Sequence, residues 1–309
     1  MRRWRGVENI PDDWPGGIIT IGFFDGVHLG HRRIIGRAVE LARERGQQAA
    51  VVTFDPHPAE VLRPGTHPAL LTTLRHKAEL LEAVGVDALC VAPFTLDFSR
   101  MTAEDFVHEI VAGQLRATGV VVGENFTYGH RALGNVETLA RGGRSEGFTV
   151  EGIGLVHADE QVLSSTAIRR RVADGDVEGA AAALGRPHRV EGVVVHGDAR
   201  GRLIGYPTAN LQCTPWAAVP GDGVYAGFAR WSGQRRAAAI SIGTNPTFEG
   251  RDRRVEAFLL DFDGDLYGEY MVYEFTHRLR PTLRFDSVDE LVLQMARDVD
   301  ATRAATLPV

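Results

Sequence analysis

Short apolar runs alternate with segments of helical periodicity in the first half of the chain. The runs predict strands over residues 18–21, 49–54, 88–92, 120–123 and 149–156. The periodic segments predict helices over residues 34–42, 75–84, 103–117 and 136–142. Alternation of strands and helices favours a parallel sheet covered by helices on both faces. The first half is therefore predicted to be an α/β domain.

Two short helices end this half. The hydroxyl side chains at 164–166 are typical caps for a helix through Val172, and residues 174–176 cap a second helix that ends near Gly185. The pattern changes at Arg186-Pro187. We therefore predict one domain over 1–186 and a second over 187–309.

After residue 187 the chain contains strands that have no helices between them. These predicted strands cover 190–196, 223–231, 237–242, 255–262 and 269–279. Glycine- and aspartate-rich turns separate them, which favours an antiparallel sheet closed into a small barrel. A helix over 287–302 ends the chain, with an apolar stripe of Leu291, Val292, Met295 and Val299.

Composition narrows the classes of protein that the chain can belong to. Its 309 residues are enough for two domains, and a net charge of −6 gives no basic surface for nucleic acid. Two cysteines cannot build a disulfide framework, and Cys90 is expected in the core. No signal sequence or run of membrane-span length is evident. We expect a cytoplasmic protein without nucleic-acid or membrane partners, and its oligomeric state stays open.

The segment Gly22-Phe-Phe-Asp-Gly-Val-His-Leu-Gly-His31 joins a predicted buried strand to a helix. A glycine-rich turn before a helix presents free backbone N–H groups and the positive end of the helix dipole, which together bind phosphate. His28 and His31, three residues apart, can add hydrogen bonds to phosphate oxygens. The alternatives are two histidines without a shared role, or a metal site formed by Asp25, His28 and His31.

Polar clusters also follow other predicted strands. Asp55-Pro56-His57-Pro58 follows the strand over 49–54, and Glu124-Asn125 follows the strand over 120–123. Ligands of parallel sheets bind beyond the carboxyl ends of the strands. These clusters and the segment 22–31 therefore predict one ligand site.

Five motifs in order resemble the prokaryotic bifunctional riboflavin kinase/FAD synthetase family. They are Gly22–His31, Thr53-Phe-Asp-Pro-His-Pro58, Gly123-Glu-Asn-Phe126, Ser164-Ser-Thr-Ala-Ile-Arg169 and Gly205-Tyr-Pro-Thr-Ala-Asn210. The resemblance implies a Rossmann-like nucleotidyltransferase domain and a riboflavin-kinase-like β-barrel with a terminal helix. It also implies that riboflavin is phosphorylated to FMN and FMN is adenylylated to FAD, with ATP as co-substrate and Mg²⁺ as cofactor.

The resemblance assigns roles to residues of the first domain. It places Gly22, Asp25 and Gly30 in the ATP-binding turn, with His28, His31 and Arg169 acting on the phosphates. FMN attacks through an anionic phosphate, so this step needs charge neutralisation rather than a strong base. Ser164, Ser165 and Thr166 are implied phosphate donors, although they could be a plain helix cap. Flavin contacts are implied for four residues, although the two prolines could simply fix a turn; the four are Phe54, Pro56, Pro58 and Asn125.

In the second domain the nucleophile is a neutral alcohol, so a carboxylate base is expected. Glu256 matches the family's catalytic Glu, and in an alternating strand it faces opposite to Val255 and Ala257. Without the resemblance, an exposed strand carboxylate would be the favoured interpretation. Many family members have His where this chain has Phe258, which puts any contact of that histidine in doubt.

Thr208 and Asn210 match the residues implied to organise Mg²⁺ and the nucleotide phosphates, and oxygen ligands suit this cation. The segment 197–205, with Gly201 and Gly205, is interpreted as a phosphate-binding flap or as a plain hairpin connection. Two alternatives remain for the whole chain: activity in only one module, or flavin binding without turnover.

Overall fold

The computed structural model describes residues 1–158, 161–197, 200–214, 216–247 and 250–307. The chain forms two compact units. The first comprises Met1–Pro68 and Leu74–Ser164, and the second comprises Ala69–Thr73 and the chain from Ser165 onward. The short segment Ala69–Thr73 thus packs with the second unit, although it lies within the sequence of the first.

The first unit follows the predicted alternation of strands and helices. Its elements are β1 (Arg2–Arg5), β2 (Gly17–Ile21), α1 (Leu29–Glu44), β3 (Gln48–Asp55), α2 (Pro58–Leu62), α3 (Leu74–Val84), β4 (Ala88–Pro93), α4 (Leu96–Arg100), α5 (Ala103–Asp105), β5 (Ala117–Gly123), β6 (Thr127–Tyr128), β7 (Gly134–Asn135), α6 (Val136–Glu146), β8 (Thr149–Ile153), β9 (His157–Ala158) and β10 (Gln161–Val162).

Six of these strands form one parallel sheet in the order β1-β4-β3-β2-β5-β8. The sheet confirms the predicted fold class of this half. All residues of β2 are buried, as its apolar run requires. Cys90 lies in the core, as predicted, and burial raises the pKa of its thiol to about 12.

Three features of this unit differ from the sequence prediction. The helix predicted over 103–117 continues from α5 with π-type hydrogen bonds over Phe106–Gln114, and it ends before Ala117, where β5 begins. The strand predicted over 149–156 ends at Ile153. The strand β1 was not predicted, since an edge strand with three arginines has no apolar run.

The second unit contains the expected barrel and terminal helix, and also the two short helices that were predicted at the end of the first domain. Its elements are α7 (Ser165–Asp174), α8 (Val177–Leu184), β11 (His188–Val195), α9 (Arg200–Leu203), β12 (Ala209–Cys213), β13 (Gly223–Trp231), β14 (Gln234–Thr247), β15 (Gly250–Leu259), β16 (Tyr270–Arg280) and α10 (Val288–Ala305). The predicted caps of α8 are present, with Asp176 before the helix and Gly185 after it in a left-handed conformation.

The six strands close into an antiparallel barrel in the order β11-β12-β15-β14-β13-β16, which confirms the predicted barrel. Tyr225, Tyr273 and Phe275 are fully buried inside it. The sequence did not predict β12. Its five residues Ala-Asn-Leu-Gln-Cys alternate weakly, and its pairing with β15 defines it.

The terminal helix α10 begins after Ser287, whose side chain accepts a hydrogen bond from the Glu290 N–H. The predicted stripe residues Leu291, Met295 and Val299 are only half-buried. Asp298 is buried instead, and its carboxylate accepts two parallel hydrogen bonds from Arg280, at 2.9 and 2.7 Å. This charged pair anchors the helix, and the pair and the three stripe residues line the same cavity. None of the described helices is long and apolar enough to span a membrane.

Candidate active sites

In the first unit, the predicted ligand site lies at the point where the order of the strands in the sheet reverses. From β2 the chain continues to β3 on one side, while β5 is the neighbour of β2 on the other side. Such a switch point leaves a crevice at the carboxyl ends of the two strands. The turn that contains His28 follows β2, and Asn125 follows β5. The structure therefore brings these two predicted segments to the same edge.

The two histidines of the turn contact each other directly. His28 is the residue that caps α1, and its Nδ1 atom accepts a hydrogen bond from the His31 N–H at 3.3 Å. The two rings stack with their centroids 3.6 Å apart. Because Nδ1 of His28 accepts this hydrogen bond, the proton of the neutral ring lies on Nε2, which makes Nε2 the donor atom of the ring. The geometry gives the helix N-terminus an additional donor of the kind that phosphate requires.

Glycines in this turn are required by close contacts. A Cβ atom at Gly30 would lie 3.1 Å from the His28 ring, and one at Gly22 would lie 2.9 Å from the Phe24 ring. Asp25, between them in sequence, is 2% exposed. The described residues contain no group of three His, Cys, Asp or Glu side chains that could hold a metal ion. The metal-site alternative for Asp25, His28 and His31 is therefore not supported.

A cavity of about 460 Å³ lies at the carboxyl ends of the strands in the first unit. We call it the aromatic cavity, after the side chains that line most of it: Phe54, Phe94, Phe98, Phe106, Phe126 and Tyr128. Two of the predicted flavin-binding residues, Phe54 and Pro58, line it, whereas Pro56 and Asn125 do not. The other aromatic residues of this cavity were not predicted from the sequence. Their concentration between residues 94 and 128 was the available signal.

The remaining predicted phosphate donors lie at the boundary of the units. Ser164 ends the first unit, and Ser165, Thr166 and Arg169 belong to α7 in the second. The Arg169 Nε atom donates a hydrogen bond to the Ala69 carbonyl oxygen at 2.6 Å. Part of the Arg169 side chain is thus fixed by the segment Ala69–Thr73.

In the second unit, Glu256 lies on β15 with Asn210 of β12 directly opposite in the antiparallel register. Val255 and Ala257 are buried, and Glu256 faces the other side, as predicted. The Thr208 hydroxyl donates a hydrogen bond to the Glu256 Oε2 atom at 3.2 Å. The three predicted residues Thr208, Asn210 and Glu256 therefore form one cluster of oxygen and amide groups.

Two cavities meet at Thr208. One, of about 630 Å³, is lined by Arg202, Thr208 and the loop residues Asp263–Tyr267, and we call it the loop cavity. The other, of about 240 Å³, lies between the barrel and α10, and we call it the helix cavity. Glu256 lines the helix cavity, in which apolar side chains predominate and which the ion pair of Arg280 and Asp298 also lines. The apolar side chains include Tyr206, Phe258, Met295 and Val299. A carboxylate thus lies beside an apolar pocket, next to a larger polar one.

The described part of the segment 197–205 contains the short helix α9. Asp198 and Ala199 lie outside the described residues. A Cβ atom at Gly201 would collide with the Tyr206 carbonyl oxygen, and Gly205 has a φ of +85°. Both glycines are therefore required by the local backbone, whatever their part in phosphate binding.

Phe258 lies on β15, two residues after Glu256. Its ring packs edge to face against Tyr206, with the centroids 5.2 Å apart. Two residues along the strand from Glu256, it points to the same face and lines the same cavity. The Phe258 ring therefore contributes apolar surface to the wall of the helix cavity.

Comparisons with known proteins agree with both halves of the chain. The FAD synthetase family model matches residues 10–167, and the riboflavin kinase family model matches residues 184–306. Bifunctional riboflavin kinase/FMN adenylyltransferases are 38% identical in Listeria monocytogenes over 95% of this chain and 94% of that protein, and 37% identical in Pseudomonas fluorescens over 100% and 99%. The Escherichia coli K12 enzyme is 36% identical over 96% of both chains.

A solved structure described as a macrolide-efflux protein from Streptococcus pneumoniae is also similar, with a TM-score of 0.91 and 32% identity. The similarity extends over 98% of this chain and over 99% of the chain in that structure. Two family models match successive parts of the chain, and several bacterial enzymes are similar to it over its full length. These two findings establish the family. The chain belongs to the bifunctional riboflavin kinase/FMN adenylyltransferase family, whose members are ATP-dependent transferases of flavin cofactor biosynthesis.

Proposed function

We propose that the two reactions are carried out by separate modules, over 1–186 and 187–309. The second module transfers the γ-phosphate of ATP to riboflavin, and the first transfers AMP from ATP to the resulting FMN with release of pyrophosphate. The observation that carries this proposal is the hydrogen bond between Thr208 and Glu256 at the junction of two cavities. A base beside an apolar pocket and a polar pocket next to it suit a kinase that joins a flavin and a nucleotide.

In the kinase module, we assign riboflavin to the helix cavity and ATP to the loop cavity. Glu256 lines only the first of these, where the 5′-hydroxyl of riboflavin must lie to be deprotonated. Thr208 lines both, so the γ-phosphate is placed beside its hydroxyl. During transfer, the Glu256 carboxylate accepts the hydroxyl proton while the new P–O bond forms and the bond to ADP breaks.

Mg²⁺ is proposed as the cofactor, held by Thr208 and Asn210. These side chains offer neutral oxygen donors, and Mg²⁺ prefers a few protein oxygens completed by phosphates and water. When bound, the cation supplies neutralisation of the phosphate charge. The Thr208 hydroxyl can donate to Glu256 and still offer its lone pairs to the metal.

In the adenylyltransferase module, we assign the FMN ring to the aromatic cavity and the ATP phosphates to the turn at Gly22–His31. Stacking on aromatic rings suits a flat isoalloxazine. The His28 Nε2 proton and the N–H groups of α1 neutralise charge on the α-phosphate and the leaving pyrophosphate. Ser164, Ser165, Thr166 and Arg169 are proposed as further phosphate donors, and Pro56 and Asn125 as flavin contacts.

The experiment that tests this proposal is conversion of riboflavin by the purified chain with ATP and Mg²⁺, followed by chromatography of the flavins. We expect FMN to appear first and FAD to accumulate after it. The double variant His28→Ala/His31→Ala should still make FMN and stop there. Undiminished FAD synthesis in that variant would contradict the phosphate assignment, and bound but unconverted flavin in the wild type would contradict the enzyme assignment. A cytoplasmic location stays a prediction from the sequence.

A further inference from the structure

Lys77 is the single lysine of the sequence, in which all other Lys and Arg positions are arginine. It lies on α3 in the first unit and is 3% exposed. Burial of a cation is costly to folding unless the charge is used or compensated. A lysine ammonium is a compact point charge, whereas a guanidinium is a broad planar group. Lys77, the one basic residue of the Lys/Arg type that is not arginine, therefore occupies a buried position that accommodates a compact cation.

The Lys77 ammonium contacts the turn that precedes His28. Its Nζ atom donates to the Phe23 carbonyl oxygen at 2.5 Å and to the Thr53 hydroxyl at 3.2 Å. It also lies 4.1 Å from the centroid of the Phe23 ring, which is a cation–π contact. The Thr53 hydroxyl in turn donates to the same Phe23 carbonyl at 3.0 Å. Phe23 is therefore held through its backbone and its ring by one side chain of α3.

The turn that begins at Phe23 is strained. Phe24, Gly26 and Val27 all have positive φ values, of 50°, 80° and 39°. Left-handed backbone is rare for a β-branched residue such as valine. Conformations of this kind persist only where the surrounding structure holds them, and they concentrate at functional sites. The position of the His28 cap at the end of this turn depends on the contacts that hold its start.

We propose that Lys77 is a positioning residue for FMN adenylylation: its ammonium holds the Phe23 carbonyl and so fixes the strained turn that presents His28 and His31 to the ATP phosphates. This inference rests on the proposed adenylyltransferase function of the first module. Lys77 does not line the aromatic cavity, so its role concerns the phosphate side of the site and not FMN binding.

A positioning role of Lys77 differs from a contribution to core stability in two respects. Burial lowers the pKa of Lys77 to about 8, against the opposing effect of the Asp25 and Asp55 carboxylates. The charged form is thus unfavourable for folding near neutral pH. Moreover, the Phe23 carbonyl would keep its hydrogen bond from Thr53 if the ammonium were removed. An uncharged side chain of similar length should therefore be tolerated by the fold, and its effect should fall on catalysis.

The test compares Lys77→Met with Arg75→Met, a matched control on the same helix whose exposed side chain pairs with Glu79. Steady-state FAD synthesis from supplied FMN and ATP is measured, with FMN formation from riboflavin and the thermal unfolding midpoint as controls. For Lys77→Met we expect kcat to fall at least about tenfold, the scale of a misplaced electrostatic group. The KM for FMN should stay within about twofold, with unchanged FMN formation and an unfolding midpoint that is not lowered. Arg75→Met should match the wild type.

The outcomes are distinguishable. A wild-type chain that makes no FAD contradicts the proposed function itself. A Lys77→Met variant with FAD synthesis within about twofold of the wild type overturns only the role of Lys77. A lower unfolding midpoint or a raised KM for FMN would show general structural support instead of positioning, and would also overturn it.

If Lys77→Met does not fold, the wild type provides a second measurement. Incorporation of ¹³Cε-lysine gives one lysine signal, because the chain has one lysine. Pyrophosphate, the product that leaves from the turn, should shift this signal. An unchanged signal at saturating pyrophosphate would overturn the proposal.

Discussion

The Thr208 hydroxyl lies 3.2 Å from the Glu256 Oε2 atom and joins residues that are 48 positions apart in the sequence. The contact exists because β12 and β15 are neighbours in the barrel, with Asn210 and Glu256 in register. It fixes the orientation of the carboxylate at the border of the loop cavity and the helix cavity. The proposed base is therefore oriented by the residue that is also proposed to bind the metal.

Replacement of the base tests the division of labour between the modules. Glu256→Gln keeps the size of the side chain and removes its proton affinity, so FMN formation should fall by about 10²-fold or more. FAD formation from supplied FMN should be unchanged. Glu274→Gln is the control, since Glu274 is a strand carboxylate on β16 that lines neither barrel cavity. Parallel loss of both activities without unfolding would contradict two independent sites.

We expect FMN formation to depend more on the hydroxyl group of Thr208 than on the shape of its side chain. Thr208→Val removes the hydrogen bond to Glu256 and a proposed metal ligand, so FMN formation should fall by about tenfold or more. Thr208→Ser keeps the hydroxyl and should retain most of the activity. The two variants are compared in kcat and in the Mg²⁺ concentration for half-maximal rate. Equal activity of both variants would show that the hydroxyl has no role.

Two glycines of α1 provide a matched pair. A Cβ atom at Gly30 would press against the His28 ring at 3.1 Å, whereas one at Gly36 would meet nothing within 4 Å. Gly30→Ala should displace the histidine stack and lower FAD synthesis. Gly36→Ala should leave FAD synthesis unchanged and stabilise the helix by about 0.5–1 kcal/mol. Thermal unfolding and FAD synthesis of both variants check this, and equal rates would mean that the stack tolerates displacement.

Removal of one ring from the aromatic cavity should affect FMN binding specifically. Phe98 packs against Phe54, Phe94 and Phe106, with centroid distances of 5.8 to 6.2 Å. Phe98→Ala should raise the KM for FMN in FAD synthesis and leave the kinase KM for riboflavin as it is. If the KM for FMN did not change, the flavin of this module would have to bind elsewhere.

The pKa of Lys77 predicts a dependence of stability on pH. Its value of about 8 in the folded chain lies below the ordinary 10.5. Between pH 8 and 10.5 the unfolded chain therefore keeps a proton that the folded chain has lost, so this group increases stability as the pH rises through that window. The difference in unfolding free energy between wild type and Lys77→Met should change by up to about 3 kcal/mol between pH 7.5 and 10.5.

Denaturant unfolding of both proteins at the two pH values measures this change. Titration of the single lysine signal measures the pKa directly. A signal that titrates near 10.5 would contradict the buried environment of the ammonium.

Several features of the chain were determined by local sequence. The apolar run of β2, the helical periodicity of α1 and the alternation around Glu256 each place side chains without reference to distant residues. The caps Asp176 and Ser287 act within one helical turn. Sequence periodicity therefore predicted these strands and helices and the face of the proposed base, because these depend on neighbours a few positions away.

Contacts between residues that are distant in the sequence are determined only by the tertiary structure. The short strand β12 is defined by its partner β15, and this pairing brings Thr208 to Glu256. The stripe of α10 lines a cavity together with the ion pair of Arg280 and Asp298, which ties this helix to β16. Lys77 on an amphipathic helix gives no local sign that its ammonium ends against the Phe23 carbonyl. Contacts between distant segments depend on strand register and on the cost of burying charge, and neither is expressed in the periodicity of a single segment.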